Sequence, residues 1–450
     1  MSDHDFSRRD FLKSSGIVSA AAALPLVGAS SRVHAGENNK IKVAIVGCGG
    51  RGSGALRQAL AADPNTVFWA AADAFEMKAK NMVSALEAAA QNKDQIQVTP
   101  DRIFHGLDGY KKAIDSLGPG DVIILATPPV FRPLHFEYAV KKGVHIFAEK
   151  PLAVDIPGLL KIREANKIAI EKNLRVAVGL NNRHYPRTEA TIQAIHDGKL
   201  GEILACWVYR CQHIHDLAPM PAGETPLTFQ LKHIFNYDWL TGSFLVDALI
   251  HNIDICCWAK NDYPVEVQGV GGRISRDAPD DMLDIAAIEY IFKDGKRLMV
   301  QARTMRNVWH FFQANIQGSL GSTQVGEGVR DPRIYAGFDM ISSNRKEIWK
   351  PDTGIKHFDS YQREHDLFFE SIRKNENKNE IEYGIMATFV AIMGRMAMHT
   401  GKRLSADQVW KSKFQYAPNV DKLTIESDSP VMPDKDGKYF VPIPGIFEFT

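Results

Sequence analysis

The segment Asp247-x-x-x-His251-x-x-Asp254 contains three side chains that can donate or accept protons, and they are spaced as on one side of a helix. Because residues four apart share a helix face, a helix here would place Asp247 and His251 together, with Asp254 nearby. Histidine exchanges protons near neutral pH, and an aspartate can orient its ring. The pattern therefore predicts an acid–base pair. A solvated, helix-stabilising pair also fits these residues, whereas a metal site would need ligands from elsewhere.

A glycine-rich turn lies between an apolar run, residues 43–46, and a helical pattern over residues 53–62. The turn comprises Gly47, Gly49, Gly50, Arg51 and Gly52. In such a turn the first glycine permits a tight bend, the second lets the backbone approach a pyrophosphate, and the third lets the helix pack close to the strand. The helix N-terminus then faces the phosphates. This context predicts a dinucleotide-binding turn.

Asp73 follows a second apolar run, residues 67–72, and stands 21 residues after Gly52. A carboxylate at this place would accept a hydrogen bond from the 2′-hydroxyl of an adenosine ribose. Ala74 follows, and no arginine is adjacent, so the sequence favours NAD over NADP. An arginine contributed from elsewhere would reverse that preference.

Two more polar segments follow apolar runs. Thr127-Pro128 comes after residues 122–126, and Glu149-Lys150 comes after residues 145–148. Ligands of open parallel sheets bind beyond the carboxyl ends of the strands, so both segments are expected at the ligand edge. A lysine there would point towards the nicotinamide and share a proton with the substrate. Taken alone, each segment also fits a simple strand-to-turn junction.

The apolar runs that carry these segments alternate with helical patterns. Strands are expected at residues 43–46, 67–72, 122–126, 145–148 and 176–178, and helices at 53–62, 75–90, 133–142 and 159–172. Strands that alternate with helices predict a parallel sheet covered on both faces. We therefore expect an α/β Rossmann dinucleotide-binding domain over residues 40–180.

The pattern changes after about residue 185. A helix is expected at residues 244–258, and strands at 203–211, 265–270, 285–292 and 298–302. No helical pattern separates the last two strands, which indicates antiparallel pairing. Residues 181–450 are thus expected to form a C-terminal α+β domain with an open, largely antiparallel sheet, and helices near residues 361–400 return to the first domain.

The first 35 residues have the features of a signal peptide. Ser7-Arg8-Arg9 opens them, the apolar part over residues 16–29 is short, and Val33-x-Ala35 gives a small-residue cleavage pattern. A paired arginine before such a stretch is typical of the twin-arginine route, which exports folded proteins. The sequence therefore predicts a periplasmic protein.

The composition of the chain limits the kinds of binding partner that the protein is expected to have. The chain of 450 residues has a formal net charge of +1, and the balance gives no basic surface for nucleic acid. No membrane span is expected once the signal is removed. The cysteines are expected to be buried thiols, because they are odd in number and lack a Cys-x-x-Cys pair: Cys48, Cys206, Cys211, Cys256 and Cys257. No resident metal is expected.

The glycine turn, the strand-end aspartate, Thr-Pro-Pro, Glu-Lys-Pro, Gly179-x-Asn181-x-Arg183 and Asp-x-x-x-His occur in this order. The set resembles the Gfo/Idh/MocA oxidoreductase family over about residues 40–404. The resemblance implies that Lys150, Asp247 and His251 are catalytic. It also implies cofactor contacts, with Asp73 at the adenosine ribose and Glu149 at the nicotinamide ribose. The full expected cofactor set is Gly47, Gly49, Gly50, Arg51, Gly52, Asp73, Thr127, Pro128, His135, Glu149 and Lys150.

Two departures from the family pattern leave the substrate open. Gly242-Ser243-Phe244 stands where many relatives have a run of glycines, and Ala248-Leu249-Ile250 replaces a frequent glycine. Candidate substrate contacts are Arg183, His184, His213, His215, Asp216 and Asp254. Structural or surface roles fit the same residues, and a metal held by the histidines together with His233 is a further alternative.

The combined hypothesis is an exported NAD(H)-dependent oxidoreductase acting on a secondary hydroxyl of a sugar, glycoside or cyclitol. His251, aligned by Asp247, would take the hydroxyl proton, and Lys150 would polarise the oxygen. Little free NAD is expected outside the cytoplasm, so the cofactor should be tightly bound and recycled. Sugar–sugar oxidoreduction, glycosidic cleavage through a transient 3-keto group, and a non-catalytic sugar- or nucleotide-sensing subunit are the alternatives. By analogy with the fold, a homo-oligomer, either dimer or tetramer, is expected.

Overall fold

The computed structural model of the chain describes residues 39–213, 216–326, 328–339, 344–352, 354 and 359–449. The predicted signal peptide and His215 lie outside these residues. The first sheet has six parallel strands in the order β3-β2-β1-β4-β5-β6. They are β1 (Ile41–Val46), β2 (Thr66–Asp73), β3 (Ile103–His105), β4 (Val122–Leu125), β5 (His145–Ala148) and β6 (Val176–Val178).

Helices between successive strands cover this sheet, as the alternating pattern predicts. They are α1 (Gly50–Ala62), α2 (Glu76–Ala89), α3 (Gly109–Asp115), α4 (Arg132–Lys142) and α5 (Ile156–Glu171). Because both faces are covered, β4 and β5 are buried at every position. The sequence did not indicate β3 and α3, since β3 is a three-residue edge strand of half-exposed or exposed residues. Helix α1 also begins three residues earlier than predicted, inside the glycine turn.

Strand order reverses at β1, which pairs with β2 on one side and β4 on the other. Loops leaving β1 and β4 therefore diverge from adjacent strand ends and leave a crevice between them, where ligands of doubly wound sheets bind. The glycine turn follows β1 and Thr127-Pro128 follows β4. The backbone of the two loops is in contact range, because a Cβ at Gly47 would lie 2.7 Å from the carbonyl carbon of Ala126.

The second sheet has nine strands in the order β14-β13-β12-β11-β7-β10-β9-β8-β15. Among the described residues its pairs are antiparallel except β7 with β10, so the sheet is mixed but mostly antiparallel. Its strands are β7 (Ile203–Cys211), β8 (Glu266–Gly272), β9 (Ile285–Ile291), β10 (Arg297–Arg303), β11 (Phe311–Gly318), β12 (Gly321–Val325), β13 (Ile334–Ala336), β14 (Glu347–Trp349) and β15 (Leu404–Ser405).

Helices of the second half pack against this sheet and against the first domain. They are α6 (Pro186–His196), α7 (Pro226–Lys232), α8 (Asp238–Thr241), a π-helical segment (Leu245–Leu249) that continues into α9 (Ile250–Lys260), α10 (Ser360–Arg373), α11 (Ile381–Thr400) and α12 (Ala406–Trp410). The predicted helix over residues 244–258 thus starts as a π-helix, a form that is frequent at functional sites.

Two segments are long and apolar enough to cross a membrane by composition alone, Asp238–Lys260 and Ile381–Thr400. Their most apolar stretches are 94% and 83% buried within the protein. The second stretch is α11, which Tyr290 of β9 fixes by donating a hydrogen bond to the carbonyl of Val390 at 3.0 Å. Both segments are therefore core helices of the C-terminal half, and weak evidence for membrane spans.

Helix α10 returns to the first domain and packs on α1. Gln362 donates a hydrogen bond to the carbonyl of Gln58 at 3.0 Å, and the guanidinium of Arg373 pairs with Asp63 at 2.5 Å. Phe368 of the same helix is fully buried against Phe147 of β5. The C-terminal part of the chain thus covers the helix that begins at the glycine turn. All five cysteines are buried free thiols, as the sequence indicates.

The loop before the π-helical segment has unusual backbone geometry. Gly242 has φ +81°, and Ser243 has φ +103°, a region that side-chain-bearing residues rarely adopt. The carbonyl of Ser243 accepts the amide of Asp247 at 2.9 Å, so this loop sets where the segment starts. Strain of this kind is found at functional sites when the surroundings impose it.

Gly52→Ala is expected to unfold the glycine turn. An added Cβ would lie 1.9 Å from the carbonyl oxygen of Gly47, and we expect a loss of about 3 kcal/mol in the free energy of unfolding. Gly54→Ala is the matched control in the same helix, because its Cβ would meet only the flexible Arg51 side chain at 3.4 Å. The control should gain about 0.5–1 kcal/mol from helix propensity. Equal denaturation midpoints for the two variants would contradict this packing.

Ser243→Gly is expected to raise stability by about 1 kcal/mol, because glycine adopts the positive φ without strain. The serine hydroxyl is buried without a hydrogen-bond partner among the described residues, so its removal loses no such bond. Gly242→Ala should have the opposite sign, since its Cβ would stand 3.0 Å from the Val246 side chain at φ +81°. Thermal unfolding measures both, and a lower melting temperature for Ser243→Gly would refute the strain.

Candidate active site

A cavity of about 410 Å³ opens where Lys150, at the end of β5, meets the second half of the chain. Its volume lies in the range of small-molecule sites. The predicted catalytic residues Lys150, Asp247 and His251 all face it, so the fold brings together groups that are up to 101 positions apart. The other described residues that line it are Arg210, Gln212, Phe235, Thr241, Phe244, Ala248, Met282 and Phe312.

Lys150 is held by Asp247. Its Nζ donates a hydrogen bond to the backbone carbonyl of Asp247 at 2.6 Å and lies 3.4 Å from the Oδ1 of the same residue. Both side chains are about one-fifth exposed, at 18% and 20%. A partly desolvated ion pair of this kind is positioned far better than a surface pair. Asp247 thus contacts the lysine, a role that the helix spacing did not indicate.

His251 is a buried, neutral base. Burial lowers the pKa of His251 well below its usual value, and the positive charges of Lys150 and Arg210 lower it further. Its Nδ1 is enclosed without a hydrogen-bond partner among the described residues. The imidazole therefore lines the cavity in the form that can accept a proton.

A narrower cleft of about 120 Å³ lies at the strand-order reversal. Six predicted cofactor residues line it, namely Gly47, Gly49, Asp73, Thr127, Pro128 and His135. Leu231 and Ile234 of the second half also border it. The Asp73 carboxylate accepts the amides of Cys48 at 2.8 Å and of Phe75 at 3.0 Å, which fixes its position beside the turn.

The glycine turn leaves space where a phosphate group needs it. A Cβ at Gly49 or Gly50 would meet nothing within 4 Å, so the start of α1 is open. Unpaired amides and the helix dipole at such a start favour an anion. At the other end of the cleft the Nε2 of His135 is buried without a described partner. An open anion cradle and an unsatisfied polar atom in one cleft fit a dinucleotide.

His135 lies below the Thr127-Pro128 loop. Its Nδ1 is 3.2 Å from the Thr127 hydroxyl, and its ring stacks on Tyr110 at 4.2 Å. Burial, and then the charge of Arg132, lower the pKa of His135 to about 3. The ring is therefore uncharged and serves the cleft through hydrogen bonding and packing.

Arg132 ties together the two strand-end segments that the sequence singled out. It donates hydrogen bonds to the carbonyls of Thr127 and Pro151. Burial lowers the pKa of Arg132 to about 10, although Glu149 and Asp247 oppose the change. An arginine in the first turn opposes the helix dipole, and that conflict was the sequence signal for a special role.

Glu149, the residue before Lys150, forms an ion pair with an arginine. Arg51 of the glycine turn reaches it at 3.0 Å and stacks on Tyr361 of α10 at 4.4 Å. Burial raises the pKa of Glu149, against the attraction of its cationic neighbours. Gly179 makes room for the carboxylate, because a Cβ there would lie 2.7 Å from its Oε2.

The neighbouring helix adds a second carboxyl group that sequence reasoning missed. Glu364 of α10 is buried, and burial together with nearby Glu149 raises its pKa well above the usual range. Neither oxygen has a hydrogen-bond partner among the described residues. A raised pKa favours the protonated form, which reduces the repulsion between the two buried carboxyl groups.

Three of the predicted substrate contacts, Arg183, His184 and Asp254, are not among the described residues that line the cavity. Arg183 forms a two-pronged ion pair with Asp254 at 2.7 and 2.8 Å. His184 lies 3.5 Å from Glu380, and, against the effect of burial, this histidine and a lysine lower the pKa of Glu380 to about 2. These contacts form a buried polar network behind the site.

His213 and Asp216 also lie away from the described lining of the cavity. The Nε2 of His213 is 3.3 Å from the Asp216 carboxylate, which is exposed and also pairs with Arg306. Among the described residues no cluster of histidine, cysteine or carboxylate side chains is arranged to hold a metal ion. The cavity residues that sequence reasoning missed, Arg210 above all, lack a local motif, because separate strands and loops bring them together.

Comparison with known proteins agrees with this geometry. Residues 41–180 match a family described as "Oxidoreductase family, NAD-binding Rossmann fold". Residues 5–25 match the signal sequence of the twin-arginine translocation pathway. The first match covers the six-stranded sheet, and the second covers the paired arginines.

Two similar relatives are inositol 2-dehydrogenases. The protein of Rhizobium meliloti is 21% identical over 212 residues, which cover 47% of this chain and 58% of the relative. The protein of Pseudomonas fluorescens is 26% identical over 339 residues, which cover 75% and 87%. The chain thus matches little more than half the length of the first relative and most of the second.

Solved structures share the fold. The aldose-aldose oxidoreductase from Caulobacter crescentus, crystallised with glycerol, superposes with a TM-score of 0.62 at 16% identity and covers 82% of this chain and 100% of that one. At this identity the likeness shows the architecture alone. The matched Rossmann domain and the relatives thus show that residues 41–180 are similar to the Gfo/Idh/MocA oxidoreductases.

Proposed function

We propose that the protein oxidises a secondary hydroxyl of a sugar, glycoside or cyclitol, or reduces the matching ketone, with a nicotinamide cofactor. One observation carries this proposal: Lys150 and the neutral His251 face a single cavity at the end of β5, beside the dinucleotide cleft. The activity for which the relatives are named, inositol 2-dehydrogenase, agrees with a polyhydroxylated substrate.

His251 and Lys150 act on different atoms of the substrate hydroxyl: His251 on its proton and Lys150 on its oxygen. The Nε2 of His251 accepts the hydroxyl proton, because Nδ1 is enclosed. Lys150 donates a hydrogen bond to the same oxygen as negative charge develops on it. Asp247 keeps the ammonium group in place through its carbonyl and carboxylate. The hydrogen on carbon departs as hydride while the C=O bond forms, and the reverse steps reduce a ketone.

The bound cofactor supplies the hydride acceptor or donor, and the chain's residues hold and orient it. The open start of α1 would receive the phosphates, and Asp73 would accept a hydrogen bond from the adenosine ribose. Its carboxylate repels a 2′-phosphate, so we propose NAD rather than NADP. Glu149, which Arg51 of the glycine turn holds in an ion pair, would contact the nicotinamide ribose.

An exported protein is expected to keep its NAD bound, because little free NAD is expected outside the cytoplasm. The twin-arginine signal directs the folded protein outward, and we place the mature protein in the periplasm. Arg51 links the glycine turn to Glu149 of the sheet and Tyr361 of α10, so the covering helix is fastened at the phosphate end. This arrangement would slow the release of NAD, and we propose that a second substrate then recycles the cofactor in place.

A homo-oligomer, dimer or tetramer, stays a prediction. The outer face of the nine-stranded sheet carries stacked rings of Trp309 and Phe311 at 4.5 Å, with Tyr209 against them at 5.8 and 5.6 Å. They border an open groove of about 610 Å³. A second copy of the chain would remove this apolar surface from water.

The proposal is tested with the folded, exported protein. Denaturation should release one equivalent of NAD, and addition of sugars and cyclitols should reduce the bound cofactor in a single turnover. Lys150→Met and His251→Gln should each slow that reduction by about 100-fold or more, because each removes a group that acts on the reacting oxygen. Retained NAD in both variants is the control for folding.

Normal turnover in both variants, or no response to any sugar, would overturn the assignment. Release of an aryl alcohol from aryl glycosides would identify the glycosidase instead.

The protein should stay active at a lower pH than an enzyme whose histidine base has an ordinary pKa. Neutral His251 accepts the proton, and its pKa lies well below its usual value, so activity persists as pH falls through 6.5 and is lost only below it. The pH profile of kcat/KM for single-turnover reduction measures this. Far-UV circular dichroism and bound NAD serve as controls for integrity. An acid limb at or above pH 6.5 with the fold intact would exclude His251 as this base.

A further inference from the structure

The second half of the chain supplies part of the cofactor cleft. Leu231 of α7 and Ile234, in the 3₁₀-helix that follows (Ile234–Asn236), border the cleft together with Phe75, the second residue after Asp73. Leu231 is buried, whereas Ile234 and Phe75 are half-buried and pack against the same apolar cluster. The parallel sheet and its loops therefore do not form the cleft by themselves.

The segment of residues 226–241, which runs from α7 to the end of α8, contacts both loops that bound the crevice. The Lys232 ammonium lies 5.7 Å from the ring centre of Phe75, in the loop after β2. The ring of Trp239 packs edge-on against Phe131, in the loop after β4, with the ring centres 6.3 Å apart. Phe75 and Phe131 both line the cleft. One segment of the second half thus bridges the crevice at the strand-order reversal.

A fully buried glutamine joins this segment to the C-terminal tail, residues 411–449. The Oε1 of Gln230 accepts hydrogen bonds from the indole of Trp239 at 2.6 Å and from the hydroxyl of Ser429 at 2.5 Å. Its amide nitrogen donates to the carbonyl of Val431 at 2.8 Å and to the hydroxyl of Tyr439 at 3.1 Å. All four hydrogen-bonding positions of the amide are thus occupied, three of them by the tail. A buried polar network that is fully satisfied holds a single arrangement.

We propose, building on the proposed function, that residues 226–241 form one wall of an adenine subsite, with Ile234 against the base, and that the tail holds this wall in place through Gln230. The base belongs near Asp73, because the ribose that this carboxylate would bind is the one attached to adenine. Phe75, Leu107 and Ile234 are half-buried in the cleft and offer the apolar surface on which the face of a base stacks.

The wall links retention of the cofactor to the catalytic cavity. NAD bound behind residues 226–241 leaves only when the segment moves away from Phe75 and Phe131, and the Gln230 network opposes that movement. Thr241, the last residue of the segment, lines the catalytic cavity. The same segment therefore holds the cofactor and shapes the place where the substrate reacts.

The first test measures how fast the protein with its bound cofactor exchanges NAD for an excess of isotopically labelled NAD, followed by mass. Ile234→Ala should speed the exchange by about 10-fold, because it removes most of an apolar side chain from the wall. Tyr439→Phe should speed it by about 5-fold, since it removes one bond to Gln230 and keeps the ring against Tyr237. Ile168→Ala is the matched control. This isoleucine of α5 is 38% exposed and lies outside the described lining of the cleft, so the exchange rate should not change.

A second test identifies the part of the cofactor that the wall contacts. Binding of AMP and of nicotinamide mononucleotide to the full-length chain, freed of NAD, is measured by calorimetry. Ile234→Ala should weaken the binding of AMP by about 10-fold and leave that of nicotinamide mononucleotide unchanged, because only AMP carries the base that stacks on the wall. A general loosening of the fold would weaken the binding of both.

An unchanged exchange rate in Ile234→Ala, or equal weakening of the two mononucleotides, overturns the adenine wall. An unchanged rate in Tyr439→Phe overturns the role of the tail. The proposed function is judged separately, by the release of a nicotinamide cofactor on denaturation and by its reduction with sugars. If the wild-type protein holds NAD that a sugar reduces, but the variants exchange it no faster, only the inference about the wall fails. If no nicotinamide cofactor is released and none binds, the proposed function itself fails.

Discussion

The contact between the Lys150 ammonium and Asp247 is the constraint on which the site depends. It joins the end of β5 in the parallel sheet to the π-helical segment of the C-terminal half, through a 2.6 Å hydrogen bond to a backbone carbonyl. A side chain bound to backbone cannot be repositioned by rotating its partner's side chain. The distance between the cofactor cleft and His251 is therefore set by the two sheets and by the loop before the π-helical segment. The strained Ser243 at the start of that loop is part of the same arrangement.

Buried charges hold the cofactor side of the site. Arg132 bonds the carbonyls of both strand-end segments, and Arg51 pairs with Glu149. Breaking one member of a buried pair leaves an unpaired charge and typically costs about 3–5 kcal/mol. Burial and nearby Glu149 raise the pKa of Glu364, and the absence of a side chain at Gly179 leaves room for the Glu149 carboxylate. Rigidity of this kind agrees with the tight cofactor binding proposed above.

The sequence predicts the architecture well where one residue type is dictated by local geometry. The glycine turn is such a case, because a Cβ at Gly47 or Gly52 would collide with backbone. Strands buried on both faces give long apolar runs, so β1, β4 and β5 are visible. The short edge strand β3 carries no such run and was missed. The start of α1 was misplaced because the glycines required by the turn are poor helix formers.

The site is predictable only in part, for a related reason. Lys150, Asp247 and His251 lie in motifs and come together in one cavity. Arg210 reaches the cavity from a strand far from Lys150 and His251 in the chain, and no spacing rule indicates it. Arg183 and Asp254 carry the right chemistry for substrate contact, but the fold pairs them with each other. Local sequence identifies reactive groups, whereas tertiary packing decides which of them meet.

Transfer of the substrate's carbon-bound hydrogen to the bound nicotinamide is the central claim. A sugar or cyclitol deuterated at the reacting carbon should be mixed with the protein, and the released cofactor analysed by mass after one turnover. The account predicts one deuterium in the reduced cofactor and slower reduction than with the unlabelled sugar. Oxidation of the sugar without deuterium in the cofactor would contradict it.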